Sequence, residues 1–269
     1  MLTNSVKNTA KNKLIKLQQS LALTGLWLFS THSFSALSDN CTTDRIDEYA
    51  IVKQVYDGDT IRLADGKKIR LIGINTPEMN YKTGNPEPFA QKAKAFLTRE
   101  VLKQKIGLRF GSDKKDRHGR LLAHIFLKDK SNLQQALLKS GFAVYITIPP
   151  NLWQQDCYMN AEQEARKKNK GIWKRHTQNI INAEQIKRTQ TGFQFVKGVI
   201  SAIHEDKKTV WLKISNKMSL RIYKKNLAYF KNMNFERLIN KRIIARGWVN
   251  HFKKRFHMNI GHPNALQLL

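Results

Sequence analysis

The residues best suited to chemistry lie in one stretch, VYDGDTIRLADGKKIRLIGINTPE at 55–78. Asp57 and Asp59 open it, Arg70 sits in its middle, and Asn75, Thr76 and Glu78 close it. Two carboxylates, an amide oxygen, a guanidinium and a glutamate suit a hard cation and a phosphate better than an apolar core. Each also has a purely structural use. Arg70 could pair with Asp59 or Glu78, Asp57-Gly58 could be only a turn, and Glu78 could cap the loop after it.

The stretch reads as a β-hairpin. Aliphatic and β-branched residues alternate on both arms, and Asp65-Gly66 between them is a strong turn signal. Such a hairpin carries the acidic start of one strand toward the arginine-bearing return strand. After a Gly/Asn/Pro-rich loop, Pro88 opens a helix with Phe89, Ala93, Phe96, Leu97 and Val101 on one face. Ile106–Phe110 and Leu121–Leu127 read as paired strands joined by a polar, basic turn over 111–120. Ser131 is expected to cap a helix over 132–140, and a third helix is expected over 151–169. In that helix Glu162 with Arg166 and Glu164 with Lys168 stand at i,i+4, a pattern of ordinary helix support. The fold class is α+β, mainly β: a strand-rich barrel with about three helices around it.

Three motifs in order resemble the staphylococcal nuclease (thermonuclease) family. They are VYDGDTIRL at 55–63, IRLIGINTPE at 69–78 and DRHGRLLAHI at 116–125, extended by SGFA at 140–143 and GIW at 171–173. The resemblance covers 48–173 and implies an OB-fold barrel that cleaves phosphodiesters of DNA and RNA with calcium, leaving 3′-phosphates. It implies that Asp59, Asn75 and the carbonyl of Thr76 hold Ca2+, with Asp57 behind them. Asn75 stands where the family's best-known member has aspartate, so one negative charge is missing and weaker calcium binding follows. Arg70 and Arg120 match the two phosphate-facing arginines, and Glu78 matches the glutamate proposed as general base. His118 lies where many relatives have tyrosine. It is a substrate contact or a solvated turn residue.

Residues 192–269 read as a second β unit, five or so strands with one helical excursion, in the order of a second small OB-like barrel. Trp211, Tyr223, Trp248, Phe252 and Phe256 are candidate base-stacking residues, with Trp211 and Trp248 the leading substrate-binding pair, although most aromatics of so small a unit must be core. The expected organisation is a leader at 1–38, a nuclease-like domain at 39–175, a linker at 176–191 and the second unit at 192–269.

Charge agrees with a polyanionic partner. Lys plus Arg number 48 against 20 acidic residues, a formal net charge of +28, which favours nucleic acid through counterion release. Anionic surface polymers would also fit. The leader pairs Lys7, Lys11, Lys13 and Lys16 with an apolar run at 21–29 and small residues at 33–38, which predicts export to the periplasm or beyond, or a membrane anchor if it stays uncleaved. The two cysteines, Cys41 and Cys157, are too few for a zinc cluster and are available for one disulfide. The position 6 glycine and position 12 glutamate of an EF-hand begun at Asp57 are absent, since Arg62 and Lys68 stand there. The expected protein is a monomeric, metal-dependent nuclease acting on DNA or RNA, without a stable membrane partner. The second reading is a nucleic-acid binder that keeps the scaffold without turnover.

Overall fold

The computed structural model describes residues 41–81, 84–174 and 180–269; the expected leader at 1–38 lies outside them. Five strands close a barrel in the order β1-β2-β3-β6-β5. They are β1 (Glu48–Val55), β2 (Thr60–Leu63), β3 (Lys68–Leu71), β5 (Lys105–Lys115) and β6 (Leu121–Phe126). The Asp65-Gly66 hairpin forms as expected: Gly66 has φ +91°, and β2 pairs with β3 antiparallel. The β3–β6 pair is parallel and closes the barrel across a long excursion of chain. Val52, Ile61, Leu63, Ile69, Leu71, Ile106, Leu108, Ala123 and Ile125 point inward and are fully buried, so period-2 alternation is spent on one apolar interior.

Three α-helices among the described residues pack on the barrel: α1 (Ala90–Val101), α2 (Leu133–Lys139) and α3 (Gln155–Lys167). Helix α1 buries Ala90, Ala93, Leu97 and Val101, the spacing of one helical face. Helix α2 is capped by Asn132, which accepts from Gln135 N; Ser131 instead closes a turn on Asp129. The basic turn is shorter than expected, because β5 runs through its polar residues to Lys115 and only Asp116–Gly119 turns. Cys41 and Cys157 are disulfide-bonded and tie the start of the described chain to α3. No helix among the described residues is long and apolar enough to cross a membrane.

Two short strands, β4 (Ile74–Asn75) and β7 (Val144–Tyr145), pair beside the barrel. Beyond them lies an eight-stranded sheet. It contains β8 (Ile180–Asn182), β9 (Gly192–Val199), β10 (Ala202–Glu205), β11 (Thr209–Lys213), β12 (Met218–Tyr223), β13 (Arg242–Phe252), β14 (Arg255–Asn259) and β15 (Leu266–Leu268). Its path β10-β11-β12-β14-β13-β9 includes a parallel β12–β14 pair, the same order as the barrel's parallel β3–β6 closure. Between β12 and β13 the helical excursion is two 3-10 turns, Lys224–Phe230 and Glu236–Leu238.

The stretch expected as a linker, 176–191, is in part structural. Strand β8 adds to β9 in parallel, and Ala183 and Ile186 are buried in the sheet's core. Its three isoleucines and Ala183 give it enough apolar surface to bury, which a solvated linker lacks.

Candidate functional site

The register of the barrel brings the polar residues together. Thr60 lies directly across from Arg70, and Arg70 is paired with Leu122. Arg120 immediately precedes β6, next to the Leu121 that pairs with Ile69, and lines the same cleft as Arg70. Arg120 Nη1 donates to Thr60 Oγ1 at 3.5 Å. The parallel pairing therefore delivers a distant arginine to the first one.

Two glycines permit the close packing here. A Cβ on Gly58 would meet Ala93 and Thr76 at 2.7 and 2.8 Å, because α1 and the Thr76 loop both press on the Asp57–Asp59 turn. Gly73 has φ +79° and turns the chain from β3 into β4, and a Cβ there would strike the Tyr158 ring at 2.7 Å. Beyond Gly73, Asn75 pairs with Val144, which fixes the loop that ends in Glu78.

Asp59 is the centre of the site and is almost fully buried. Its Oδ2 accepts from Thr76 N at 2.9 Å and Thr76 Oγ1 at 3.1 Å, and it pairs with Arg70 Nη2 at 3.0 Å. Oδ1 accepts from Thr60 Oγ1. Arg70 Nη2 also donates to Asn75 Oδ1 at 3.2 Å, while its Nη1 donates to the carbonyls of Leu71 and Ile74. Of the structural alternatives for Arg70, the Asp59 pair is the one that forms. Asp57 caps the turn, its Oδ1 accepting from Asp59 N. Burial, and then the charge of Asp59, push its carboxyl up to about 7.

Glu78 stands at the rim of the same cleft, its amide donating to Glu87 Oε2 at 2.9 Å. Partial desolvation at the rim, then the charges of Asp59 and Glu87, raise its carboxyl above the usual glutamate range. Arg120 is held by Asp116, whose Oδ2 accepts from Nε at 2.7 Å and whose Oδ1 accepts from the amides of His118 and Arg120. His118 is exposed on that turn, with Nε2 accepting from Arg117 Nε.

Asp57, Asp59, Arg70, Asn75, Glu78, Asp116, His118 and Arg120 line one cleft of ≈ 1070 Å³, and its other wall belongs to the second sheet. Tyr223, Trp248, Asn250 and Asn259 face it from there. Trp248 thus joins the barrel residues, whereas Trp211 lies one strand further out, across from Arg221. Phe256 is buried in the second core and cannot stack on a ligand; Phe252 is exposed on the β13–β14 turn.

Two residues missed in the sequence hold the walls together. Glu162 is buried, and its Oε1 pairs with Arg166 at 2.8 Å and with Arg246 of β13 at 2.7 Å. Its Oε2 accepts from Tyr145 N at 2.6 Å. The i,i+4 spacing reads as ordinary helix support; the burial and the second arginine depend on a contact 84 residues away.

The donor set is oxygen only: carboxylates of Asp57 and Asp59, the Asn75 amide and the Thr76 carbonyl. Asp59 Oδ2 and Asn75 Oδ1 converge on one Arg70 nitrogen, so they already face a single cationic point. Hard, converging oxygens suit a divalent cation of the Ca2+ or Mg2+ kind.

The chain is similar in sequence to proteins of one family. A family profile described as "Staphylococcal nuclease homologue" matches residues 68–175. The thermonuclease of Staphylococcus intermedius is 35% identical over 137 residues, spanning 50% of this chain and 81% of that protein. The thermonuclease of Staphylococcus hyicus is 33% identical over 148 residues, 54% of this chain and 86% of that protein. Endonuclease YncB of Bacillus subtilis is 35% identical over 125 residues, 45% of this chain and 59% of that protein.

Proposed function

The chain belongs to the staphylococcal nuclease family, and from that premise we propose that it is an exported, divalent-cation-assisted nuclease hydrolysing phosphodiesters of DNA or RNA. The observation that carries this reading is the convergence of Asp59, Arg70, Asn75, Glu78 and Arg120 on one cleft. Asp59, Asn75 and the Thr76 carbonyl would hold the cation, which when bound polarises the phosphate and acidifies the attacking water. Calcium is the ion the family resemblance implies.

The chain's own groups supply the rest. Arg70 and Arg120 line one cleft, where two guanidiniums can meet the oxygens of one phosphate. Glu78 at the rim accepts the proton of the attacking water. The water oxygen bonds to phosphorus, the bond from phosphorus to the 5′ oxygen breaks, and that oxygen leaves as a hydroxyl after taking a proton from solvent. The 3′ side keeps the phosphate. Formation of the Cys41–Cys157 disulfide supports the exported part of the reading, since such bonds persist in oxidising compartments.

Asn75 favours the second reading, a nucleic-acid binder without turnover, because it removes a carboxylate from the cation site. Incubating the purified chain with labelled single-stranded and duplex DNA and RNA, in Ca2+, Mg2+ or chelator, separates the two. The nuclease reading expects cation-dependent cleavage with 3′-phosphate ends. Binding without cleavage in every cation would make the chain a binder.

A further inference from the structure

The second sheet is docked against the barrel, not merely tethered to it. Arg246 Nη1 donates to Glu162 Oε1 at 2.7 Å and to the Tyr145 carbonyl at 3.1 Å, and Asn264 Nδ2 donates to Tyr145 Oη at 3.2 Å. Val144, Ala165, Trp173 and Phe195 form one buried cluster drawn from both parts. Strand β7 is the shared beam: Val144 pairs with Asn75 on one side, and Tyr145 receives Arg246 and Asn264 on the other. The sheet is thus held in register with the loop that carries Asn75 and Glu78.

Alternation along β13 decides what it shows to the cleft. Ile243, Ala245, Gly247 and Val249 are buried, so Arg246, Trp248 and Asn250 project from the opposite face. Trp248 is 39% exposed, an unusual state for a tryptophan that a small core would gain by burying. Phe193, its partner across the strand pair, supports it edge-on at 5.2 Å. Together they form one side of a smaller cavity of ≈ 410 Å³ whose other side is Thr76, Glu78 and Glu87. Further along, Tyr223 lies in the main cleft, with the Arg221 guanidinium 4.7 Å from its ring and 5.6 Å from the Trp211 ring. Charge on this part is one-sided. Residues 180–269 contain four acidic side chains, Glu184, Glu205, Asp206 and Glu236, against eighteen lysines and arginines.

We propose that this wall is a nucleotide-binding subsite for the unpaired strand flanking the scissile phosphate. One base stacks on Trp248 beside Glu78, and the strand continues over Tyr223 and Arg221. The inference deepens the nuclease reading and rests on it for the position of the scissile phosphate. Stacking on an aromatic ring needs a free base face. A base inside a duplex has both faces covered by its neighbours, so the wall selects single strands. The smaller cavity is of the size that holds one small ligand group, and the cationic surround suits the phosphates that follow.

The test uses the full chain, Trp248→Ala, Trp248→Phe and Tyr223→Ala, with a labelled single-stranded DNA, its RNA equivalent, and a hairpin duplex of the same sequence. Turnover is followed with cation, and binding by fluorescence anisotropy in chelator. The ratio of kcat/KM on single strand to that on hairpin is expected to fall about tenfold in Trp248→Ala, mostly through KM. Trp248→Phe should restore most of it, and Tyr223→Ala should show a smaller loss of the same kind. Equal losses on both substrates, or none, in variants whose melting temperature matches the parent would overturn the wall. Single-strand binding that depends on Trp248 without cleavage by the parent would uphold the wall and sink the nuclease reading instead. Should Trp248→Ala fail to fold, Trp248→Phe and Tyr223→Ala carry the same comparison.

Discussion

The barrel and the second sheet share a pairing order, with a parallel strand pair at the same place in each, yet they bury different things. The barrel part encloses Asp59, Thr60, Asn75, Thr76, His124, Asn132, Gln134, Gln135 and Glu162. The buried polar residues of the sheet are Thr209, Ser215 and His262. A buried carboxylate costs several kcal/mol unless partners compensate for its lost water, and the barrel supplies those partners at one end, around Asp59. The sheet directs its polar and aromatic side chains outward, into the cleft. Similar strand order therefore does not imply similar work. In this account the barrel supplies reactive groups and the sheet supplies surface.

The sharpest way to break that contrast is to remove the charge that balances Asp59. Arg70→Ala leaves a buried carboxylate unpaired, which should cost about 3–5 kcal/mol in denaturant unfolding. It should also lower kcat by about 100-fold or more through loss of phosphate stabilisation. An active Arg70→Ala protein of parental stability would mean that the pair is incidental. Glu162→Gln tests the joint between the two regions. It strips the charge shared by Arg166 and Arg246, and about 3–5 kcal/mol of stability should go with it. If the two regions unfold as one unit, the parent should show a single transition and this variant an earlier one.

Reducing the Cys41–Cys157 bond should cost about 2–5 kcal/mol, since it closes a long loop of the barrel part. The expected shift in urea midpoint tells whether that region sets the stability of the whole. The smallest effect concerns His124, buried against Tyr158 Oη at 2.7 Å and pushed down to about 3 by burial and by Arg109. Unfolded, the same histidine titrates near 6.5. Between those values the unfolded chain holds the extra proton, so the contribution is complete above pH 6.5. It is lost by about 1.4 kcal/mol per pH unit as pH falls toward 3. Comparing stability at pH 7 and pH 5 with His124→Asn should show that extra slope only in the parent.

Much of the site was legible because its signals are local. Asp65-Gly66 set the hairpin, and period-2 alternation on both arms placed Arg70 across from the Asp59 strand. The DRHGR run marked Arg120, which only the parallel β3–β6 pairing carries to Thr60 and Arg70. What escaped depends on contacts far apart in sequence. Glu162 looked like one half of an ordinary i,i+4 helix pair until Arg246 reached it from β13. Phe256 looked no different from Trp248 as an aromatic on a strand, yet it falls on the inward face of β14 while Trp248 points to the cleft. Ser131 and Asn132 are both good caps, and only the backbone geometry chose Asn132. Strand β8 lay hidden in a short polar segment because its pairing with β9 requires no alternation of its own.

The most direct test of the account is single-turnover cleavage of a labelled single strand by the parent and by Glu78→Gln, in saturating cation, with binding measured on the same samples. The expected loss in rate is about 100-fold or more, with strand affinity within a few-fold of the parent because the stacking surface is Trp248, across the smaller cavity from Glu78. Cleavage by Glu78→Gln at the parental rate would contradict it, and the proton acceptor would have to be sought elsewhere in the cleft.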